Sequence, residues 1–283
     1  MNFHRVSPDR NPFWPPLDPG IFDELIGFVK ENFEIRTLKE LSRASSSSKP
    51  FAVISFDDGY KDFIEYACPI MDSHGVTANL NVVGKCAEKG EPLWNIELYD
   101  YFASASPAEL REIRVPGCMV RLDGDSARDK VKFGVELSRF LKNRPREERV
   151  ALMEPLSEKM SQCEFRRTAM MNAEEVCEAA SVHEIGSHSY SHESMEYESD
   201  RFFGGDLRKC IEFFGSKLEI PLETYAFPNG SYRESQLAIL KENGVKTALL
   251  VEEKTCKIGD PALTRFTMYG ESIEHAAMRV LGF

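Results

Sequence analysis

Two adjacent carboxylates, Asp57 and Asp58, close the apolar run Phe51-Ala-Val-Ile-Ser-Phe56 and precede Gly59-Tyr60. Like charges side by side repel, and burying either is costly unless something pairs with it. A metal ion is the usual partner. Asp-Gly is also a common turn dipeptide, so the stretch alone leaves a plain turn open. The second candidate is His188-Ser-Tyr-Ser-His192. Two histidines four apart lie on one face of a helical turn and can share one ion. Histidine offers a neutral nitrogen at about 2.0–2.1 Å from zinc, and a carboxylate offers an oxygen. Two histidines and one aspartate leave coordination positions for water and substrate, as a catalytic site requires. A pair of surface histidines is the plainer alternative. The third candidate is Tyr225-Ala-Phe-Pro-Asn-Gly230. It is either a simple turn or one whose backbone N–H groups face a developing oxyanion.

These residues need elements to hold them. The run 51–56 is short, apolar and β-prone, with Pro50 before it and Gly59 after it. It reads as a buried parallel strand, with the aspartates where α/β folds build their sites. Residues 1–6 form a candidate first strand carrying His4, and 8–19 a proline-rich loop. Helical spacing follows at Phe22, Leu25, Ile26, Val29 and Phe33. Residues 45–50 read as a surface loop. The stretch 60–74 reads as mostly helical, closed by Gly75, with Pro69 starting, kinking or breaking a helix. Residues 77–83 are β-rich. Strand, helix and strand in succession imply parallel pairing and a right-handed crossover.

From 93 to 170 the chain is charge-rich. Helices are expected at 96–103, 127–141 and 146–160, with a short hairpin at 115–122. We read 93–170 as an insertion covering one face, a lid over the metal site, and not as a separate domain. The alternation then resumes. Asn172 and Glu175 make a capping box. Strands are expected at 183–186, 224–227, 246–251 and 263–268, and helices at 206–218, 235–243 and 272–281. Six or seven strands alternating with helices fit one barrel-like α/β domain spanning 1–283.

Composition narrows the function. The 283-residue chain is 42% hydrophobic and 29% charged, in the ordinary range for a soluble globular protein. Its net charge of -11, with no basic block, argues against a nucleic-acid partner. No apolar run approaches the roughly 20 residues that span a bilayer, and the first residues lack an apolar signal core. The seven cysteines are scattered and form no C-x-x-C pair, as in a reduced cytoplasmic protein.

Phe56-Asp57-Asp58-Gly59, His188 to His192 and Pro228-Asn229-Gly230 together resemble the polysaccharide deacetylase family, carbohydrate esterase family 4. Order and spacing agree. Phe3-His4-Arg5-Val6 and Pro92-Leu-Trp-Asn95 are similar to its exopolysaccharide-associated branch. The resemblance implies a distorted, incomplete (β/α) barrel with parallel strands and a helical insertion. It also implies one divalent ion, zinc being the expected one. Asp58, His188 and His192 match the metal ligands, Asp57 the general base, and the N–H of Asn229 an oxyanion donor. The implied reaction is hydrolysis of the N-acetyl group of an amino sugar or saccharide. The alternatives are hydrolysis of another small amide and a non-catalytic carbohydrate-binding homologue.

Two features depart from the family. Ala226 stands where the family often has an arginine that orients the base. The late Leu-x-His that supplies its acid is also missing; His275 lies in a helix without that context, and His4 and His183 are the other candidates. Arg265 is the expected replacement for the arginine. Strand alternation places Leu263, Arg265 and Thr267 on one face. If that face is buried, Arg265 must be paired, and Asp57 is the partner for a two-pronged guanidinium grip.

Overall fold

The computed structural model describes residues 1–41, 47–260 and 262–282. Ser45 and Ser46 of the expected surface loop lie outside the described residues. The chain divides into two compact units. The first, Met1–Asp9, Pro16–Glu91 and Ala169–Phe283, is a barrel of parallel strands. Its strands are β1 (Asn2–Phe3), β4 (Ser55–Asp58), β5 (Asn79–Val82), β6 (Glu184–Ser187), β7 (Thr224–Ala226), β8 (Thr247–Val251) and β9 (Ala262–Arg265), neighbours in that order. A separate two-stranded sheet pairs β2 (Glu34–Ile35) with β3 (Phe51–Ala52). The expected strand 51–56 is therefore two strands in different sheets, and the expected first strand 1–6 is only Asn2–Phe3. Beyond β9, Thr267 bridges Asn2 in parallel. Asn2 N–H donates to the Phe266 carbonyl at 2.7 Å, and Met268 N–H to the Asn2 carbonyl at 2.8 Å. The result is a nearly closed barrel.

Alternation along these strands sorts the side chains by polarity. Phe3, Phe56, Leu80 and Val82 point outward into the apolar core under the helices. Phe56 packs edge-on against Phe22 and Phe63, with ring centroids 5.8 and 4.9 Å apart. Asn2, Ser55, Asp57, Asn79, Asn81 and Arg265 are buried on the other face, where a polar group needs a partner. They supply one another: Ser55 Oγ donates to Asn79 Oδ1 at 3.0 Å, and Asn81 Nδ2 donates to Ser55 Oγ at 3.2 Å.

The helix expected at 60–74 is a π-helical turn, Phe63–Ala67, leading into an α-helix, Cys68–His74. Pro69 sits in the first turn of that α-helix, where its missing N–H costs nothing. Gly75 closes it at φ 64°.

The second unit comprises Arg10–Pro15 and Pro92–Thr168. Its helices include Trp94–Ser104, Ala127–Lys142 and Arg146–Ser161. Phe13 stacks on Tyr99 at 5.5 Å, and Phe102 meets Phe133 at 5.4 Å. Asp100 accepts from Asn11 Nδ2 at 3.0 Å and from the Thr168 N–H at 2.6 Å, tying both linking segments to one helix. The expected hairpin at 115–122 is absent; Pro116-Gly117 make a turn between segments without strand pairing.

Candidate active site

Strand β4 delivers both aspartates, and they have different surroundings. Asp57 points into the polar interior. Asn81 Nδ2 and Arg265 Nη1 donate to its Oδ1, each at 2.8 Å. Asn2 Nδ2 at 3.0 Å and Arg265 Nη2 at 2.8 Å donate to its Oδ2. Arg265 is fixed in turn: Nη1 donates to Asn2 Oδ1 at 2.9 Å and Ser55 Oγ at 2.8 Å, and Nε to the Leu250 carbonyl at 3.3 Å. The expected grip of Arg265 on Asp57 is present, with both prongs formed. Burial is the largest single influence and opposes ionisation of Asp57, but the Arg265 guanidinium, His188 and His4 together hold the carboxyl well below its usual range.

Asp58 turns away. Its φ is 76° and that of Gly59 is 81°, a left-handed corner at the strand end. Asp58 Oδ1 lies 3.4 Å from His188 Nε2 and 3.2 Å from His192 Nε2. That oxygen is buried and has no hydrogen-bond partner. His188 Nδ1 lies 2.9 Å from the Ala226 carbonyl, so the proton sits on Nδ1 and the Nε2 lone pair faces Asp58. Burial lowers the His188 pKa against the pull of Asp57 and Asp58, favouring the neutral, ligating form. One ligand atom from each of the three residues lies within 4.8 Å of the others, the candidate metal group among the described residues. Bonds of about 2.0–2.1 Å in a tetrahedron separate neighbouring ligand atoms by roughly 3.3–3.4 Å. The two separations from Asp58 match that edge, so the donor set fits a divalent ion of zinc size.

The histidines do not lie on a helical turn. Residues 188–194 form an irregular loop after β6, with Ser189 at φ 67° and His192 at φ 57°. Ser189 Oγ accepts from the N–H of Ser191 at 3.1 Å and of His192 at 2.8 Å. The chain doubles back, which brings the two rings to 5.0 Å between centroids. The spacing of four is thus met by a folded loop and not by helical pitch.

Pro228–Gly230 is a tight turn after β7, with Asn229 at φ 56° and Gly230 at φ 65°. Asn229 Nδ2 donates to Ser194 Oγ at 3.0 Å, pinning the turn to the histidine loop. Ala226, where the family arginine was expected, supplies its carbonyl to His188.

The other histidines separate cleanly. Phe3 pairs with Phe56, so His4 follows beside Asp57 at the strand ends. Its ring lies in the field of Asp58, Asp57 and His188. His183 is at the opposite end of the barrel, accepting from the Ala78 N–H at 3.2 Å with Cys68 Sγ at 3.3 Å from its other nitrogen. It is no candidate acid. His275 is exposed on the last helix and meets Tyr269 edge-on, also outside the site. Sequence reasoning missed Asn2, Asn81 and Gly186. The available signal was the polar alternation in Asn79-Leu-Asn-Val82, which marks a strand whose inner face is polar.

A candidate metal-binding triad and a clamped carboxylate thus stand together at the strand ends of a parallel α/β barrel. The family model described as polysaccharide deacetylase matches residues 165–248, which include both histidines and the Pro228 turn. Over these residues the chain is similar to that family. A search of curated proteins finds no match. Among solved structures, the chain is similar to the Streptococcus pyogenes deacetylase PplD in complex with acetate. They share 15% identity and a TM-score of 0.61, covering 99% of this chain and 96% of that one. IcaB from Ammonifex degensii gives 14% identity and 0.62, covering 98% and 94%. The BpsB deacetylase domain from Bordetella bronchiseptica gives 12% and 0.55, covering 94% and 93%. At these identities the likeness is one of fold.

Proposed function

We propose that this chain is a metal-dependent N-deacetylase that hydrolyses the N-acetyl group of an amino sugar or saccharide and releases acetate. One observation carries the reading: a buried, unpartnered Asp58 oxygen facing two imidazoles, with a second carboxylate clamped beside it. Asp58, His188 and His192 would hold the ion, zinc for this donor set. When bound, such an ion activates water and polarises an amide carbonyl. Asp57 takes the proton from the attacking water, in the orientation set by Arg265, Asn2 and Asn81. The N–H of Asn229, on the turn pinned to the histidine loop, faces the oxygen that becomes negative. His4, which follows Phe3 beside Asp57 at the adjacent strand end, is the candidate donor to the leaving nitrogen, a role that needs Asp57 and Asp58 to offset the burial that lowers its pKa. The family match supports a carbohydrate substrate, and the deacetylases of like fold support the reaction type. All seven cysteines are free, which supports a reducing, cytoplasmic setting.

The test is acetate release from N-acetylated glucosamine oligomers by the whole chain, stripped with chelator and reloaded with zinc. Asp58→Ala and His188→Ala should lose both metal and activity. Asp57→Asn should keep the metal and lose about 10²-fold or more in kcat, the scale of general base catalysis. No acetate at full metal occupancy would overturn the reading. Turnover of another amide, or sugar binding alone, would then identify which alternative holds.

A further inference from the structure

The loop carrying His188 and His192 is held from behind by a carboxylate outside the metal group. Helix Asp200–Phe213 buries Asp206 on its inner face, 5% exposed. Asp206 Oδ2 accepts from the Tyr190 N–H at 2.8 Å. Oδ1 accepts from the Ser191 N–H at 3.2 Å and from Ser191 Oγ at 2.5 Å. Cys210 Sγ, one helical turn on, lies 3.9 Å from Oδ2. Two successive backbone N–H groups and a hydroxyl therefore converge on one anion. Such concave runs of N–H groups favour negative charge.

The loop has reason to need this support. Non-glycine residues in the left-handed region cost of order 1–3 kcal/mol each unless their surroundings over-determine them. Ser189 and His192 both lie there, at φ 67° and 57°. Ser189 Oγ satisfies N–H groups from inside the loop. Asp206 satisfies them from outside, on Tyr190 and Ser191, two of the three residues between the histidines. A helix would have fixed the histidine spacing with its own hydrogen bonds; here a side chain from another element does so.

We infer that Asp206 is a positioning residue for the metal site: it holds the 188–192 loop in the conformation that aims both imidazoles at Asp58. The inference rests on the metal reading above. Residues that orient metal ligands from one layer out typically cost 10–100-fold in metal affinity when removed.

The experiment measures zinc affinity by chelator competition on the metal-stripped whole chain, with the visible absorption of the cobalt(II)-loaded chain as a report on coordination geometry. Asp206→Ala should bind zinc about 10–100-fold more weakly and shift the cobalt spectrum. Ser191→Ala, which removes one donor and leaves the helix intact, should weaken zinc binding in the same direction with metal-free Tm unchanged. Leu207→Ala creates a cavity in the same helix and removes none of the hydrogen bonds that Asp206 makes to the loop. It should lower Tm and keep wild-type zinc affinity. Should Asp206→Ala fail to fold, Ser191→Ala and Asp206→Asn decide. Wild-type zinc affinity and cobalt spectrum in the folded variants would overturn the inference. If wild type itself binds no zinc, the metal reading fails instead, so the two failures are distinguishable.

Discussion

Asp57 has no idle lone pair. A carboxylate offers about four acceptor positions, and two asparagines and the two prongs of Arg265 occupy them. For this group to take a proton, one donor must yield. Asn2 is the candidate, because it sits on Oδ2, the oxygen 4.0 Å from His188 Nε2 and so nearest the metal group. Arg265 has the opposite task, supplying half of the donors and the only full charge among them. Arg265→Ala leaves a buried anion short of its cation, a loss of about 3–5 kcal/mol for such pairs. It should fold with a lower Tm and lose most of its kcat at full metal occupancy. Arg265→Lys should recover part of the stability and less of the rate, because lysine lacks the fork. The comparison needs an exposed arginine as control, and Arg201→Ala serves. Arg279 does not: it is buried, bonds Glu253 and the Thr267 carbonyl, and stacks on Tyr269. Wild-type kcat in Arg265→Ala would mean that the asparagines alone orient Asp57.

At the level of elements, β6 makes room for β5. A Cβ at position 186 would stand 2.2 Å from Asn81 Oδ1 and 3.1 Å from Thr224 Cβ. Gly186 thus lets Asn81 lie flat between strands and reach Asp57. Gly186→Ala should cost about 1–3 kcal/mol, as overpacking does. By displacing Asn81 it should also lower kcat about 10-fold or more, since small misplacements near a reacting group are costly. Metal content and KM should hold. Asn81→Leu should reproduce the kinetic effect without the clash; unchanged kcat in both would remove Asn81 from the positioning network. None of this coupling was legible in the sequence. What was legible depended on local signals: the apolar run before Asp57, the Asn172 capping box, the glycine closing the helix at 74, and the alternation that turned Arg265 inward. The conformation of the histidine loop was hidden because it is set by Asp206, 14 residues beyond His192 in the chain. The division of 51–56 between two sheets was hidden because the run is apolar throughout, and periodicity does not show where its partner changes. Arg265 could be placed because an inward-facing cation demands an anion, and the chain had already offered one.

At the scale of the whole molecule, residues 92–168 form a compact unit with its own aromatic packing and its own staple at Asp100. Its expected role as a lid stays a proposal, and kinetics can test it. A chain in which 93–167 is replaced by a short loop should change KM or the preferred oligomer length while keeping zinc. Wild-type values for both would reject the lid. The barrel carries a different consequence. The clamp on Asp57 comes from opposite extremes of the sequence, Asn2 and Arg265, joined to each other by a hydrogen bond across 263 positions. The metal group needs nothing beyond His192 and its supports. During synthesis, then, a chain that has emerged only as far as β8 already contains every ion-binding side chain, yet Arg265 is still to come. On the proposed reading, acquisition of the ion and competence to react would be separate events in the life of the molecule. The second waits for the barrel to be closed at its seam, so an unfinished or C-terminally trimmed chain would carry its ion without an oriented base.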